Sequence, residues 1–306
     1  MSLPVPTTPP SPRLRREVAA IDPNRHLTSD VRLLTSDCCP ITEMRYLHRR
    51  MKSGTLRIIL ALFPAACAFA GNSVVNMSHY DLLRPDFVAM KSEGVVGVIH
   101  EASFPRFERD WRYAERQAQA AQAGLLWGAY HFADATDPIR QADHFLSVVA
   151  SSHRPVVGAN QEEKNRPGVL LVLDFENNHY HGGNMSVAQA AAFAQRIKER
   201  TGVYPGIYGS ENRLRQMFSG ISGAQRAVLS NCWLWVANYH AQPRGISPWG
   251  SWEMWQYCGD GKCGLRPRNA FPISVANMRR AERNIFNGNN VSLQNFWQQH
   301  SWSPGG

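Results

Sequence analysis

Several signals of common protein classes are missing from this chain of 306 residues. Its six cysteines do not show the paired CxxC spacing of a structural zinc site, which argues against a metal-stapled fold. No glycine-rich phosphate fingerprint follows the first apolar run, which argues against a dinucleotide-binding domain. Charged residues make up 19% of the chain and hydrophobic residues 43%, a balance typical of a globular protein rather than a disordered one.

The formal net charge of +9 is unevenly spread, because residues 1–70 contribute +5 of it. The modestly basic remainder suits an anionic polymer such as a bacterial wall or nucleic acid, and it serves solubility equally well. No nucleic-acid-binding motif accompanies the charge, so we expect no nucleic-acid partner.

Residues 1–50 are rich in Pro, Arg, Ser and Thr without sustained periodicity, which predicts a disordered extension. Residues 51–70 begin with basic residues, continue with a short apolar centre and end in the small-residue pattern Ala68-Phe69-Ala70. This pattern is typical of a secretory signal peptide, and its apolar centre is too short to span a bilayer. We therefore expect translation to start at Met51, which makes residues 1–50 a misplaced gene start, and export to the periplasm or the extracellular space. An uncleaved signal anchor is the alternative; after cleavage no stable membrane insertion is expected.

Beyond residue 73, short apolar runs alternate with helical patterns, which predicts an α/β fold with a parallel sheet. Helices are predicted at 108–123, at 138–150 and from a capping box at Ser186 and Gln189 to Arg200. After residue 219 the helical spacing fades and strands follow one another, so we favour an irregular TIM-like barrel over an open doubly wound sheet. The predicted strands are 74–79, 94–102, 124–133, 168–176, 204–210, 233–239 and 252–257.

The segment GVLLVLDFENN, residues 168–178, has the strongest functional signal. Because alternate strand residues share a face, Asp174 and Glu176 are predicted to project together, with Phe175 on the opposite face beside Leu171 and Leu173. A pair of acids at the carboxyl end of a buried parallel strand is where barrel enzymes keep their catalytic groups. The alternative is a strand that ends in a solvated acidic turn.

Two other clusters are weaker candidates. His179 and His181 have no matched third ligand, so we expect no metal, and no cofactor signal is present. Cys258 and Cys263 flank a Gly-Asp-Gly turn that could let them form a disulfide after export, which would leave Cys232 unpaired.

Aromatic side chains near the strand ends are candidate substrate contacts. Tyr130 and Tyr208 are predicted to point their hydroxyls at the barrel mouth. Trp235 and Trp255 are candidates for lining the cleft, whereas packing is favoured for Trp233, Trp249 and the histidine His131.

Eight motifs along the chain resemble, in their order, those of glycoside hydrolase family 25, the Chalaropsis-type lysozymes. The resemblance spans residues 74–300, within an expected catalytic domain of residues 71–306. It implies a barrel of five βα units followed by three strands, and cleavage of the β-1,4 bond between N-acetylmuramic acid and N-acetylglucosamine in peptidoglycan. The motifs are SHY (78–80), AGLLWGAYHFA (123–133), QADHFL (141–146), LDFE (173–176), YPGIYGS (204–210), LWVANY (234–239), WQY (255–257) and RNIFNG (283–288).

The resemblance also implies roles for the acid pair. Glu176 is the expected general acid, because a nearby like charge raises a carboxyl's pKa. Asp174 is the expected ionised partner, which either attacks the sugar or holds the substrate's N-acetyl group so that its oxygen attacks. Close carboxyls would suit such a retaining reaction and a wider gap an inverting one.

Three positions depart from the family pattern. Asn76 stands where the family has Asp in D-x-S, and Glu282 stands where it has Asp before N-x-F-x-G. The second strand ends in HEASF instead of a Lys-Ala-Thr-Glu-Gly type sequence, so Glu101 is either a substitute acid or a surface residue. These changes leave two alternatives to a muramidase: a peptidoglycan-binding protein with weakened turnover, or an enzyme acting on another N-acetylated glycan such as chitin. No wall-binding repeat is visible, and we expect a monomer.

Overall fold

The computed structural model describes residues 73–82, 84–153, 167–178 and 182–304. The predicted extension and signal segment, and the histidines at 179 and 181, lie outside these ranges. None of the helices in the described ranges combines the length and the apolar character needed to cross a bilayer.

Eight strands close into a barrel, as the sequence predicts. Seven of the wall strands run parallel to one another, and the eighth, Glu282–Phe286, pairs antiparallel with both of its neighbours to close the wall. Two short strands, β3 and β10, pair with β2 and β5. The bounds are β1 Val74–Met77, β2 Gly97–Phe104, β3 Glu108–Arg109, β4 Leu126–Phe132, β5 Val169–Asp174, β6 Gly206–Ser210, β7 Trp233–Ala237, β8 Met254–Cys258, β9 Glu282–Phe286 and β10 Ser301–Trp302.

Helices follow the first five wall strands, which confirms five βα units followed by mostly β structure. The segment predicted as one helix over 108–123 begins with the two-residue strand β3 and continues as a helix, and two helices form after residue 219. The bounds are α1 Phe87–Ser92, α2 Tyr113–Gln122, α3 Pro138–Ser152, α4 Val187–Thr201, α5 Glu211–Phe218, α6 Gly223–Leu229 and α7 Asn290–His300, with a 3-10 turn at Pro105–Phe107.

Local capping explains two of these helices. The predicted capping box at the start of α4 is present, because Ser186 and Gln189 exchange hydrogen bonds, and Gly202 ends the helix at φ 79°. Helix α6 begins with the same device at Ser222 and Gln225. That serine–glutamine pair is the sequence signal for a helix that the fading periodicity hides.

Strand β5 separates two apolar layers, as its alternation predicts. Leu170 and Val172 pack inside the barrel, whereas Leu171, Leu173 and Phe175 pack against the surrounding helices. Asp174 follows the phase of the inward residues and therefore points into the barrel.

Helix α7 fills one end of the barrel. Its Trp297 is fully buried and approaches Gly97 so closely that a Cβ there would lie 2.7 Å from the ring. Only glycine at this position lets the indole reach the barrel interior. Because this end is packed, a ligand can enter only at the opposite end, where the parallel strands finish.

Three smaller expectations are also confirmed. Cys258 and Cys263 form a disulfide, and Cys232 is free and buried. Trp233 and Trp249 lie in the apolar layers. His131 is a core residue whose ring nitrogens lie 2.9 Å from Ser103 Oγ and from Gln141 Oε1.

Candidate functional site

A cavity of about 490 Å³ opens at the carboxyl ends of the parallel strands. Seven of the eight predicted site residues line it: Asn76, Tyr130, Asp174, Glu176, Tyr208, Trp235 and Glu282. The cavity is strongly acidic, with six carboxyl side chains in its wall: Asp81, Glu101, Asp174, Glu176, Asp260 and Glu282. Such a wall favours a neutral polar ligand that donates hydrogen bonds, or one that brings positive charge at its reacting centre.

The acid pair is held by the segment that follows β5. Asp174 is the last residue of the strand, and Phe175 N–H donates to the Tyr208 carbonyl at 2.9 Å, which extends the β5–β6 pairing by one residue. Arg213 then fixes the next residues, because its Nε donates to the Phe175 carbonyl at 2.7 Å and its Nη1 to Asn177 Oδ1. Glu176 lies between these two anchor points.

Asp174 is the deeper acid. It is 8% exposed, and its Oδ1 accepts no hydrogen bond from any described residue. Burial raises the pKa of Asp174 well above its ordinary value, and the charges of Glu176 and Glu101 raise it further. The neutral form of Asp174 is therefore favoured, whereas the family pattern led us to expect an ionised one.

Glu176 has a smaller shift because cations lie near it. Burial raises its pKa to about 7, and the charge of Asp260 acts in the same direction. Arg213 and Lys262 lower the pKa and so oppose these effects. A carboxyl with a pKa near 7 can give up and recover a proton at neutral pH, which is what a general acid requires.

Asn76 and Glu282 meet at the seam that closes the barrel. They are register partners of β1 and β9, and Asn76 Nδ2 donates to Glu282 Oε2. Gln256 Nε2 lies 3.3 Å from the same carboxylate oxygen, and Asn284 Nδ2 donates to Asn76 Oδ1 at 2.8 Å. Burial raises the pKa of Glu282 to about 8, and the charge of Asp81 adds to the effect. The departure at position 76 thus places an amide donor against a buried carboxyl.

Glu101 is not a surface residue, so that alternative is wrong. It lies on the inward phase of β2, is 7% exposed and lines the cavity. Burial, together with the charge of Asp110 and a hydrogen bond with it, raises the pKa of Glu101 to about 8. The wrong alternative came from the sequence HEASF, in which polar residues sit on both faces of the strand.

A group of possible metal ligands adjoins the cavity. His79, Glu101 and Asp110 each place one donor atom within 4.8 Å of the others. Asp110 Oδ2 already accepts the His79 backbone N–H at 2.8 Å and lies 3.0 Å from His79 Nδ1. These bonds give the group a structural role in joining two loops.

The cavity is lined by three of the four aromatic residues predicted to contact substrate, Tyr130, Tyr208 and Trp235, but not by Trp255. Trp235 is oriented by a 2.8 Å hydrogen bond from its Nε1 to Asn284 Oδ1, and Tyr208 OH donates to Gln256 Oε1. Trp255 lies on the outer face of β8, packs on Phe271 and donates to the Asn238 carbonyl at 2.7 Å. The strand register explains the error, because Met254 and Gln256 are the residues of β8 that face the barrel interior.

Sequence reasoning missed two contributions from loops. Asp260 reaches the cavity from the turn inside the Cys258–Cys263 disulfide, where it adopts φ 50°. Ser78, His79, Tyr80 and Asp81, which follow β1, form one side of the entrance. The only sequence signals were the cysteine-bracketed Gly-Asp-Gly and the SHY motif.

Comparison with known proteins identifies the family. The model of glycosyl hydrolases family 25 matches residues 75–264, more than half of the chain. Lysozyme M1 of Streptomyces globisporus is 27% identical over 204 residues, which are 64% of this chain and 64% of that protein. The chain thus spans slightly less than two thirds of the length of this relative.

Solved structures support the same fold. A bacterial lysozyme from Streptomyces coelicolor is similar with a TM-score of 0.58 and 24% identity, over 76% of this chain and 99% of that one. A family GH25 lysozyme from Aspergillus fumigatus is similar with a TM-score of 0.54 and 24% identity, over 74% and 97%. With this barrel, this acid pair and this family match, the chain belongs to glycosyl hydrolases family 25.

Proposed function

We propose that the protein is an exported peptidoglycan muramidase that hydrolyses the β-1,4 bond between N-acetylmuramic acid and N-acetylglucosamine. The observation that supports this most is the placement of Asp174 and Glu176 together in the wall of the cavity at the carboxyl ends of the strands. The relatives named above are lysozymes. The reaction needs two carboxyl groups and no cofactor.

Glu176 is the proposed general acid. Its pKa of about 7 leaves a large protonated fraction at neutral pH, so it can protonate the glycosidic oxygen as the bond breaks. Its backbone is held by Arg213, which binds the carbonyl before it and the side chain after it. This clamp limits the positions that the carboxyl can take.

Asp174 is the proposed partner at the anomeric centre. Its unpaired Oδ1 needs a donor, and the acetamido N–H of the substrate is one. A hydrogen bond to the charged form favours ionisation, so substrate binding would lower the pKa of Asp174. The ionised group then either attacks the sugar or holds the acetamido group while its oxygen attacks.

The test is digestion of purified peptidoglycan by the full chain, followed by mass analysis of the soluble fragments and their new reducing ends. We expect muramic acid reducing ends from the parent and a loss of roughly 100-fold or more in rate for Glu176→Gln. Glucosamine reducing ends, or cleavage of chitin in preference to peptidoglycan, would contradict the proposed specificity for the bond between N-acetylmuramic acid and N-acetylglucosamine. A Glu176→Gln variant as active as the parent would remove Glu176 from the mechanism.

A second candidate is a wall-binding protein with little turnover, favoured by the neutral Asn76 at a position where the family has a carboxyl. The same digestion separates the two. Sedimentation with peptidoglycan, without release of reducing ends at any pH between 5 and 9, would identify the binding protein.

A further inference from the structure

Exposed apolar side chains are scattered over most of the described surface, but two aromatic ones lie close together beside the cavity. Tyr80 is 87% exposed and Trp111 is 60% exposed. The His79 ring lies between them, with its centroid 4.0 Å from that of Tyr80 and 6.5 Å from that of Trp111. We call these three residues the aromatic platform.

The aromatic platform continues the wall of the cleft. His79 and Tyr80 line the cavity that contains Asp174 and Glu176, and Trp111 extends the surface outside it. A chain-like ligand that passes the acid pair and leaves the cavity on this side must therefore cross the platform.

The platform is held rigidly from beneath by one buried carboxylate. Asp110 is 2% exposed and accepts the His79 N–H at 2.8 Å through one oxygen and the Arg112 N–H at 2.7 Å through the other. It thereby fixes the loop after β1 to the segment that bears Trp111. Since neither loop has to be ordered on binding, a ligand would lose little affinity to conformational entropy.

A second buried side chain supports the loop after β1. Arg116 is 1% exposed, donates to the Ser78 carbonyl at 2.6 Å and also donates to the Leu82 carbonyl. Its charge is thus used to hold two backbone carbonyls on either side of Tyr80. Arg116 therefore helps to fix the backbone of the loop that carries the exposed Tyr80.

The charges around the platform favour a carbohydrate over a lipid surface. The Arg112 guanidinium stacks 4.0 Å from the Trp111 ring and pairs with Glu115 at 2.8 Å. Charged and exposed residues 108 and 109 lie on the same segment. A membrane-inserting patch would be more continuously apolar, whereas a sugar offers an apolar C–H face to a ring and hydroxyls to the charged rim.

We propose that the aromatic platform is a distal glycan subsite that binds N-acetylhexosamine rings of the strand beyond the pair joined by the cleaved bond. The choice of glycan rests on the proposed muramidase function. The subsite makes the protein prefer long strands over short fragments.

The experiment is calorimetric titration of full-length Glu176→Gln protein with a disaccharide and a hexasaccharide of peptidoglycan glycan, which this variant leaves intact. We expect tighter binding of the hexasaccharide, and a loss of roughly 10-fold in that affinity on adding Trp111→Ala. The disaccharide affinity should change less than two-fold. Trp111→Phe should retain most of the affinity, and Val291→Ala, an exposed apolar change on α7, should alter neither titration.

Equal losses for both sugars, or no loss for the hexasaccharide, would overturn the subsite. Loss of sedimentation with phosphatidylglycerol vesicles in Trp111→Ala, with glycan binding unchanged, would identify a lipid surface instead. Failure of the parent to release reducing ends would disprove the muramidase function. It would not change the difference in affinity between the hexasaccharide and the disaccharide, so the two failures are distinguishable.

Discussion

The side-chain amide of Asn76 donates a hydrogen bond to the carboxylate of Glu282 across the two strands that close the barrel. The family pattern has a carboxyl at each of these positions. In this chain an amide and a longer carboxyl form a complementary donor–acceptor pair, so the two departures are structurally linked. Neither would be understood if it were considered alone.

The first prediction follows from this pair. Asn76→Asp should lower the thermal midpoint of unfolding, and more strongly at pH 9 than at pH 6, because two buried carboxylates would then face each other. The double variant Asn76→Asp/Glu282→Gln reverses donor and acceptor and should recover most of the loss. Calorimetry of the four proteins gives the coupling free energy, which we expect to be at least about 1 kcal/mol. Additive losses would contradict the direct contact.

Arg213 provides the second prediction. It lowers the pKa of Glu176, so Arg213→Met should raise that pKa above about 7. The protonated acid would then persist to higher pH, so the alkaline limb of the rate profile should move to higher pH by on the order of one pH unit. Arg215→Met removes a similar cation whose partner is Glu211, and it should leave the limb in place. If the alkaline limb lies at the same pH in the parent and both variants, Arg213 does not influence the pKa of Glu176.

Asp260 should have the opposite effect. Its charge raises the pKa of Glu176, so Asp260→Asn should move the alkaline limb downward. Lys262 lies in the same disulfide loop and lowers that pKa, so Lys262→Met should move the limb upward. Rate profiles of both variants on soluble glycan provide the test. Shifts of the same sign would mean that the loop acts through its conformation rather than through charge.

The buried acids also predict how stability changes with pH. Glu101 has an ordinary pKa of 4.5 and a folded-state pKa of about 8, so the unfolded chain loses this proton first as the pH rises. Stability should therefore fall between about pH 4.5 and pH 8, by up to about 1.4 kcal/mol per pH unit for each such group, and then level off. Urea unfolding at pH 5, 6.5 and 8 should show a shallower fall for Glu101→Gln than for the parent.

The control for this slope is Asp143→Asn. A hydrogen bond from Arg196 lowers the pKa of Asp143, so its contribution is present above the ordinary pKa and is lost as the pH falls below it. Asp143→Asn should thus leave the slope between pH 5 and pH 8 unchanged. If the stability of the parent rises between pH 5 and pH 8, the pKa values of the cleft acids are not raised in the folded state.

The parts of the site that local pattern determines were predictable. The alternation along β5 places Asp174 and Glu176 in the cleft, and Leu171 and Leu173 on the other face. The spacing of Ser186 and Gln189 marks the start of α4. Each of these signals lies within a few residues, so the residue order alone carries the information.

The parts that depend on closure of the barrel were not predictable. Trp255 and Gln256 are equally plausible from sequence, and only the register of β8 against its neighbours decides which one faces inward. Glu101 is buried because β1 and β4 flank its strand. Asp260 reaches the cavity because a turn bends toward it, which no periodicity encodes.

The seam between β1 and β9 also has a consequence for biosynthesis. Asn76 and Glu282, which form it, are 206 positions apart along the chain, whereas the acid pair lies midway between them. A ribosome therefore completes Asp174 and Glu176 long before it can supply the last wall of the cleft. We expect a nascent chain to carry its acids without a formed cleft around them, so that hydrolytic competence begins only when synthesis has passed β9.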